Sequence, residues 1–591
     1  MKFHGNIEGL VERLSDKFDS LKHNQKEGVL YTVTSKNKKL INWNEATGTI
    51  EAFCGSENAH LLSEIFTVVS DSFSKLGNET KQENFLGEIY TDSELVIGLV
   101  GAVGSRLGEL TNILKDYLGD RFQYDVEVIA VSSKIIKKYR EEEIKYNDEF
   151  SRITGYMNFG NELRSESKDN SFIALAAAKV ISEVRENRKK DKKNKRVAYI
   201  INSLKHDDEI KRLRQIYSEG FYQISLYESS QRRSEYLIKD KGMQPNQADE
   251  LIQRDEGEEK GHGQHTRDAF HLADYFVKYD GSYDGLRNSC FRFLSLIFGD
   301  PFITPTFDEF ATYMAFTSSL RSADLSRQVG AVIARNETIL STGANDIPKY
   351  GGGLYWPVVD KITGEVTDTN DGRDYKRNED SNVKEKEKIS EDLINSLLKL
   401  IDSSGVSTSE NEDEITTLKD KIQDTVKHSK LKDITEYGRV VHAEMETLMS
   451  CSRESISTKG ATLYATTFPC HNCAKHIIAA GIERVVFVEP YPKSKALDFH
   501  RESVTIGFDS SDNKMVFEPF VGVGARNFLN VFSMSLGSGY ELKRKLKNGS
   551  TLPWTPKGSK LRTALLPYSY LEREDKAKEL IASLRIVAKN K

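Results

Sequence analysis

The sequence predicts a multidomain α/β protein whose first large unit is built on a parallel sheet. Three observations carry this. The chain has 591 residues, too many for a single hydrophobic core. From about residue 95 onward, short apolar runs alternate with charged amphipathic stretches, the pattern of strands alternating with helices. Hydrophobic residues make up 38% and charged residues 29%, enough to fill cores while leaving room for polar insertions.

The net charge of −5 excludes an overall basic field that would draw the chain onto nucleic acid or an anionic membrane. The opening "MKFHGNIEGLVERLSDKF" lacks an apolar signal core, and no run of about 18 apolar residues occurs, so a cytoplasmic location without membrane contact is expected. Five cysteines, odd and sparse, fit a reducing compartment better than a disulfide framework.

Taken in order, residues 1–92 mix amphipathic stretches such as "NAHLLSEIFTVVSDSF" with polar turns and carry no chemical motif; this region is left unassigned. A second region, 93–300, opens with "LVIGLVGAVGS", a buried strand entering a glycine-rich turn, then the helical period of "LTNILKDYL". The runs "YDVEVIAVS", "RVAYIINSL" and "FYQISLYES" supply further strands. The charge run "RENRKKDKKNKR", 185–196, reads as a solvated loop or helix end, with a polyanion contact as the alternative.

A third region, 301–591, begins with the helical "FDEFATYMAFTSSLRSA" and the hairpin "VGAVIARNETILSTG", turning at 335–337. Residues 361–435 are strongly charged and read as an insertion with two helices, "ISEDLINSLLKLI" and "EITTLKDKIQDTV", packed as a hairpin or partly mobile. The main unit resumes at "YGRVVHAEMETLMSC", "GATLYATTFPC" and "ERVVFVEPYP", read as helix, strand, helix, strand.

Within that unit lie "VVHAEMETL" and "TFPCHNCAKHI", giving H-x-E followed by P-C-x-x-C, the signature of zinc-dependent nucleobase deaminases. Cys470 and Cys473 project from one side of a helix's first turn, and Pro469 fixes the chain direction before it. With the His442 imidazole they make three ligands for one catalytic Zn2+ and leave a fourth position open for water. Glu444, two residues past a ligand, is placed to shuttle protons. A redox C-x-x-C pair and a closed structural zinc site completed by His471, His476 or Cys451 are the alternatives.

Residues 314–346, "MAFTSSLRSADLSRQVGAVIARNETILSTGAND", with "HAEMETL", "GATLYATTFPCHNCAKHIIAAGIERVVFVEPYPKSKALDFH" and "FEPFVGVGARNF", resemble the deoxycytidylate deaminase family. The resemblance implies a cytidine-deaminase-like three-layer α/β/α domain carrying the charged insertion. It also implies that Asn345 contacts the sugar hydroxyl, that Arg321 meets phosphate and that Tyr491 lines the base pocket. The alternatives are a turn residue for Asn345 and ordinary packing or surface residues for the other two. Some members hold a second, structural zinc with residues preceding H-x-E; residues 346–441 contain no cysteine, so neither that ion nor the usual allosteric response is expected.

"GLVGAVGSRLGEL", 98–110, resembles the P-loop of nucleoside monophosphate and dephospho-CoA kinases, which implies a P-loop kinase-like domain. Gly98, Gly101, Gly104, Ser105 and Arg106 become candidates to bind a nucleoside triphosphate. Leu107 stands at the lysine position and Gly108 at the magnesium-hydroxyl position, which argues against phosphoryl transfer, with Arg106 as the candidate replacement cation. Arg232, Arg233, Arg254 and Arg267 are candidates to face phosphate, or else form surface ion pairs.

The order of the two domains is similar to that of bacterial anti-phage deoxycytidine nucleotide deaminases, over about residues 93–590. That resemblance implies conversion of dCTP and dCMP to dUTP and dUMP, a small inhibitory RNA as partner, and homo-oligomers. The alternatives are a housekeeping dCMP deaminase supplying dUMP and a polynucleotide cytidine deaminase; the latter would need a basic channel with interleaved aromatics.

Overall fold

A computed structural model describes residues 21–25, 30–35, 38–44, 50–52, 93–140, 146–190, 196–256, 265–403, 412–427, 429, 431, 437–491, 494–507, 513–537, 539–563 and 571–583. The chain forms two compact units, 1–91 and 92–591. In the first, β1 (Leu21–Gln25), β2 (Leu30–Ser35), β3 (Lys38–Asn44) and β4 (Ile50–Ala52) make an antiparallel sheet in that order. The amphipathic stretch noted at 58–73 lies outside the described residues.

The second unit holds two six-stranded sheets. β5 (Leu95–Gly101), buried at every residue, is followed by α1 (Leu107–Asp120), which buries Leu107, Leu110, Ile113, Leu114 and Leu118 at helical spacing. Each such side chain contributes about 1.5–3 kcal/mol when fully buried. β6 (Asp125–Ala130), α2 (Phe172–Lys190), β7 (Val197–Leu204), β8 (Phe221–Tyr227) and β9 (Tyr275–Lys278) follow. The spatial order is β6-β7-β5-β8-β9, all parallel, with separate cores on its two faces.

α3 (Phe307–Ser319) leads into β10 (Gly330–Arg335) and β11 (Thr338–Ala344). Their tight turn places Asn336 and Glu337 at φ 50° and 56°, the left-handed pair that a two-residue hairpin loop requires. The insertion supplies a small hairpin, β12 (Val358–Val359) with β13 (Val366–Thr367), and two helices that pack on each other, Ser381–Ser403 and Glu412–Lys427. Next come α4 (Ala443–Arg453), β14 (Thr462–Thr467), α5 (His471–Ala479), β15 (Arg484–Glu489), β16 (Val504–Ile506) and β17 (Met515–Pro519). The order is β11-β10-β14-β15-β17-β16, parallel from β14 onward, with α4 and α5 on one face and α3 on the other.

The sheets are joined. β18 (Gly522–Val523) pairs antiparallel with β9, and Phe276 of β9 meets Phe520 edge to face at 5.6 Å within a core shared with α3, β10, β14 and β15. α6 (Leu571–Ser583) returns to pack on α2. Among the described residues no helix is long and apolar enough to cross a membrane.

Of the charge run at 185–196, residues 185–190 form the end of α2, in line with the helix-end reading, and residues 191–195 lie outside the described residues. Arg185, 5% exposed, donates to Glu94 at 2.8 Å and to Glu574 of α6 at 2.9 Å. Arg188 pairs with Asp125 and Glu127, and Arg196 donates to the Ser559 carbonyl while covering the Tyr124 ring. Arg185 and Arg188, read from sequence as solvated charge, are taken up by carboxylates that the fold brings from far along the chain.

Candidate metal centre and substrate pocket

Two helix starts are aimed at one point. His442 is the extended residue before α4, held there by a two-way backbone bridge between Val441 and Asp346, just past β11. Cys470 caps α5, its sulfur accepting the Cys473 backbone N–H at 3.4 Å. His442 Nδ1 lies 3.4 Å from Cys470 Sγ and 3.3 Å from Cys473 Sγ. A tetrahedral zinc with ordinary Zn–N and Zn–S bonds separates such atoms by about 3.6 Å, so the donor set fits this metal in type and spacing. The positive ends of both helices favour thiolate here.

The cluster among the described residues contains those three ligands and no fourth. Cys451 is buried near the far end of α4, and His471 sits against Phe499. The closed structural site therefore lacks its completing ligand among the described residues. Taken by themselves, the ligands share protons. The Cys470 thiol is drawn down to about 4 by its hydrogen bond with Cys473 and then by His442, while Cys473 is pushed well above the usual thiol range. His442 is raised to about 9, chiefly by the hydrogen bond with Cys470.

Glu444 stands in the first turn of α4, 4% exposed, and burial pushes its carboxyl up. It opens onto a cavity of about 240 Å3 lined by His442, Cys470, Asn345, Phe468, Thr467 and Tyr491. Asn345 is buried and its amide is committed locally: Oδ1 accepts from Val329 N–H at 2.7 Å and Nδ2 donates to Arg327 O at 2.8 Å. It shapes the 327–329 wall. Arg321 lies elsewhere, 3.7 Å over the Trp356 ring and donating to the Tyr355 carbonyl, so it does not line this cavity.

Sequence reasoning missed the polar rim. Asp324 and Arg327, Arg439, and from the insertion Asp374, Asp380 and Asn382 line the cavity. Arg439 donates to Asp374 at 2.6 Å, and Arg327 pairs with Glu489 at the end of β15. Arg373 fastens the insertion to Asp346 at 2.9 Å and, within the insertion, pairs with Asp368 at 2.8 Å. No spacing rule marks these residues; they meet only because the insertion folds back over the sheet's end.

The glycine-rich loop is arranged differently from its motif. Gly98 lies inside β5, where a Cβ would meet Leu204 and Phe221 at 2.7 Å, so its smallness serves sheet packing. Gly101, Gly104 and Ser105 line a cavity of about 330 Å3 at the carboxyl ends of β5, β6 and β7, together with Arg152, Arg164, Lys205 and Lys241. Arg106 turns away: its guanidinium pairs with buried Glu228 and sits between the Tyr236 and Tyr279 rings at 4.7 and 4.6 Å. The Val103 N–H, which a phosphate would claim, donates instead to buried Asp255 at 2.7 Å, and Lys205 joins the same carboxylate at 2.8 Å. A triphosphate gripped by this loop and Arg106 does not fit that arrangement. Arg254 is taken up by Asn158, and Arg233 by the Glu228 and Val103 carbonyls.

Comparison with known proteins bears on one region. Residues 305–489 match the family described as the cytidine and deoxycytidylate deaminase zinc-binding region. ComE operon protein 2 of Bacillus subtilis is 41% identical over 72 residues, 12% of this chain and 38% of its own length. The deoxycytidylate deaminase of Mycobacterium phage D29 is 53% identical over 53 residues, 9% of this chain and 37% of its own. The chain thus spans under two fifths of these curated relatives. A dCMP deaminase structure from cyanophage S-TIM5, in complex with dCMP and dUMP, covers 36% of this chain and 98% of its own at 18% identity; its TM-score of 0.19 is too low to bear on function. The region that carries His442, Glu444, Cys470 and Cys473 is thus similar to the cytidine and deoxycytidylate deaminase zinc-binding region.

Proposed function

We propose that this protein is a zinc-dependent hydrolytic deaminase of deoxycytidine nucleotides, converting dCMP, dCTP or both to the uracil nucleotides. The observation that carries the reading is the His442, Cys470 and Cys473 triangle with buried Glu444 beside it at the wall of a substrate-sized cavity. His442, Cys470 and Cys473 would hold the ion, which when bound supplies Lewis acidity that makes water a competent nucleophile near neutral pH.

Glu444 moves the protons. It takes one from the attacking water and passes it to ring N3, then takes the second from the hydroxyl so formed at C4 and delivers it to the amine as the C4–N bond breaks, so cytosine and water become uracil and ammonia. Its burial, which raises the carboxylate's affinity for a proton, suits a group that must take a proton from water and then hand it on. Tyr491 and Phe468 wall the base, and Asn345 orients the chain at 327–329 around the sugar. Arg327 and Arg439 are the cations at the rim for phosphate, in the place assigned from sequence to Arg321.

Depletion of the deoxycytidine nucleotide pool during phage infection, restraint by a small RNA and oligomerisation belong to the same proposal and rest on the sequence resemblance alone. The test offers zinc-loaded full-length protein dCMP, dCTP, CTP and cytosine-containing single-stranded DNA and measures ammonia and uracil. Uracil from the free deoxynucleotides supports the proposal; uracil from DNA alone replaces it with a polynucleotide deaminase.

A further inference from the structure

The charged groups at the rim of the substrate cavity differ in how far the protein itself engages them. Asp324 turns its Oδ1 onto the backbone, accepting from the Ser326 N–H at 2.8 Å and the Arg327 N–H at 3.0 Å. Asp380 caps the insertion helix Ser381–Ser403, accepting from the Asn382 N–H at 2.8 Å and the Val383 N–H at 3.1 Å. Arg439 spends both terminal nitrogens, one on Asp374 and the other on the Gly372 carbonyl at 3.0 Å. Arg327 is different. One terminal nitrogen pairs with Glu489, and the rest of its guanidinium has no partner among the described residues, although its side chain is only 42% exposed.

Glu489 reaches Arg327 from the end of β15. Its register partner is Thr467, the last residue of β14 and a wall of the cavity, whose hydroxyl donates to the same Oε2 at 3.4 Å; the Glu489 carbonyl accepts the Phe468 N–H at 2.7 Å. The Arg327 backbone is clamped as well, its N–H by Asp324 and its carbonyl by Asn345. A long side chain is thus held at three points, and its planar fork keeps open donors of the kind that a phosphate accepts. We propose that Glu489 is a positioning residue, which holds Arg327 so that its remaining N–H groups meet the 5′-phosphate of the substrate and separate nucleotide from nucleoside. Such a role rests on the proposed substrate, a deoxycytidine nucleotide in this cavity.

Two effects of Glu489 oppose each other. Its carboxylate repels a bound phosphate, and it removes freedom from the arginine before the phosphate arrives. At a half-exposed rim the repulsion is screened by water and salt. Immobilising a rotamer-rich side chain at the moment of binding weakens affinity by roughly two- to tenfold. Positioning therefore prevails. Two substitutions separate the effects: Glu489→Ala removes both the contact and the charge, whereas Glu489→Gln keeps an amide oxygen to accept from Arg327 and removes the charge alone.

The experiment is equilibrium binding of dUMP and deoxyuridine, the product with and without its phosphate, to full-length zinc-loaded protein, with steady-state kinetics on dCMP beside it. The variants are Glu489→Ala, Glu489→Gln, Arg327→Ala and the double alanine variant. Glu489→Ala is expected to weaken dUMP binding about three- to tenfold and to raise KM for dCMP by the same factor, with kcat, zinc content and deoxyuridine binding unchanged. Glu489→Gln is expected to bind dUMP at least as well as the parent, and the double variant to bind it no more weakly than Arg327→Ala. Equal weakening of dUMP and deoxyuridine, or a fall in kcat or zinc content to match, would make Glu489 a support of the fold and overturn the role. Unchanged or tighter dUMP binding in Glu489→Ala, losses that add in the double variant, or a parent that does not bind dUMP would overturn it too. Because binding is read without turnover, a failure of the deaminase proposal shows separately, as protein that holds dUMP through Arg327 and never forms uracil.

Discussion

In β11, Gly343 lies beneath α4, the helix that carries Glu444 and begins at His442. A Cβ at that position would stand 2.4 Å from Thr447 Oγ1, 2.6 Å from the Ala443 carbonyl and 2.8 Å from the Thr447 N–H. The hydroxyl can rotate; the two backbone atoms cannot. Gly343→Ala therefore requires the start of α4 to rise by about 0.8 Å to regain ordinary contact at 3.4 Å. Overpacking of this kind costs about 1–3 kcal/mol. A displacement approaching 1 Å in a catalytic constellation costs about 100-fold in rate. The expected result is a lower unfolding midpoint in urea and a fall in kcat/KM for dCMP of about two orders of magnitude, with kcat falling more than KM rises. Gly108→Ala is the control, since its Cβ meets nothing within 4 Å in α1, and it is expected to be neutral or stabilising by about 0.4–1 kcal/mol. Parent-like stability and turnover in Gly343→Ala would refute the claim that this close approach positions Glu444.

Three further outcomes follow from the same geometry. Arg185→Ala strands Glu94 and Glu574 without their cation and is expected to cost about 3–5 kcal/mol in urea unfolding, with zinc content per folded chain unchanged. Arg439→Ala releases Asp374 at the rim, and a several-fold rise in KM for dCMP with a smaller change in kcat is expected from steady-state kinetics. Asp308 is pushed up by burial, but hydrogen bonds from Arg484 and Tyr464 prevail and hold its carboxyl below the ordinary range. Its contribution is present above the unfolded-state value near 4 and is lost as pH falls through the lower folded value, so Asp308→Asn is expected to flatten the acid limb of a stability-against-pH curve.

How much of this was legible in the sequence depended on whether the signal was local. The α1 period, the 335–337 turn and the H-x-E with P-C-x-x-C pair are short-range patterns, and the fold sets His442 Nδ1 within 3.4 Å of both cysteine sulfurs. Arg321 and Arg106 were assigned by motif position, but each found an aromatic ring and a nearer acceptor, Trp356 with the Tyr355 carbonyl and the two tyrosines with Glu228. Asp255 beneath the glycine-rich loop and Asp374 at the substrate rim come from segments remote in sequence, with no periodicity to announce them. The return of β18 to β9 was equally hidden, because a two-residue strand carries no pattern of its own.

The most direct test of the central claim is uracil formation from dCMP and dCTP by the full-length protein and by Glu444→Ala, each assayed beside its measured zinc content. One zinc per chain in both, with uracil and ammonia formed in equal amounts by the parent and none by the variant, is the predicted result. Turnover that survives Glu444→Ala, or a zinc-loaded parent silent on every cytosine substrate, would contradict it.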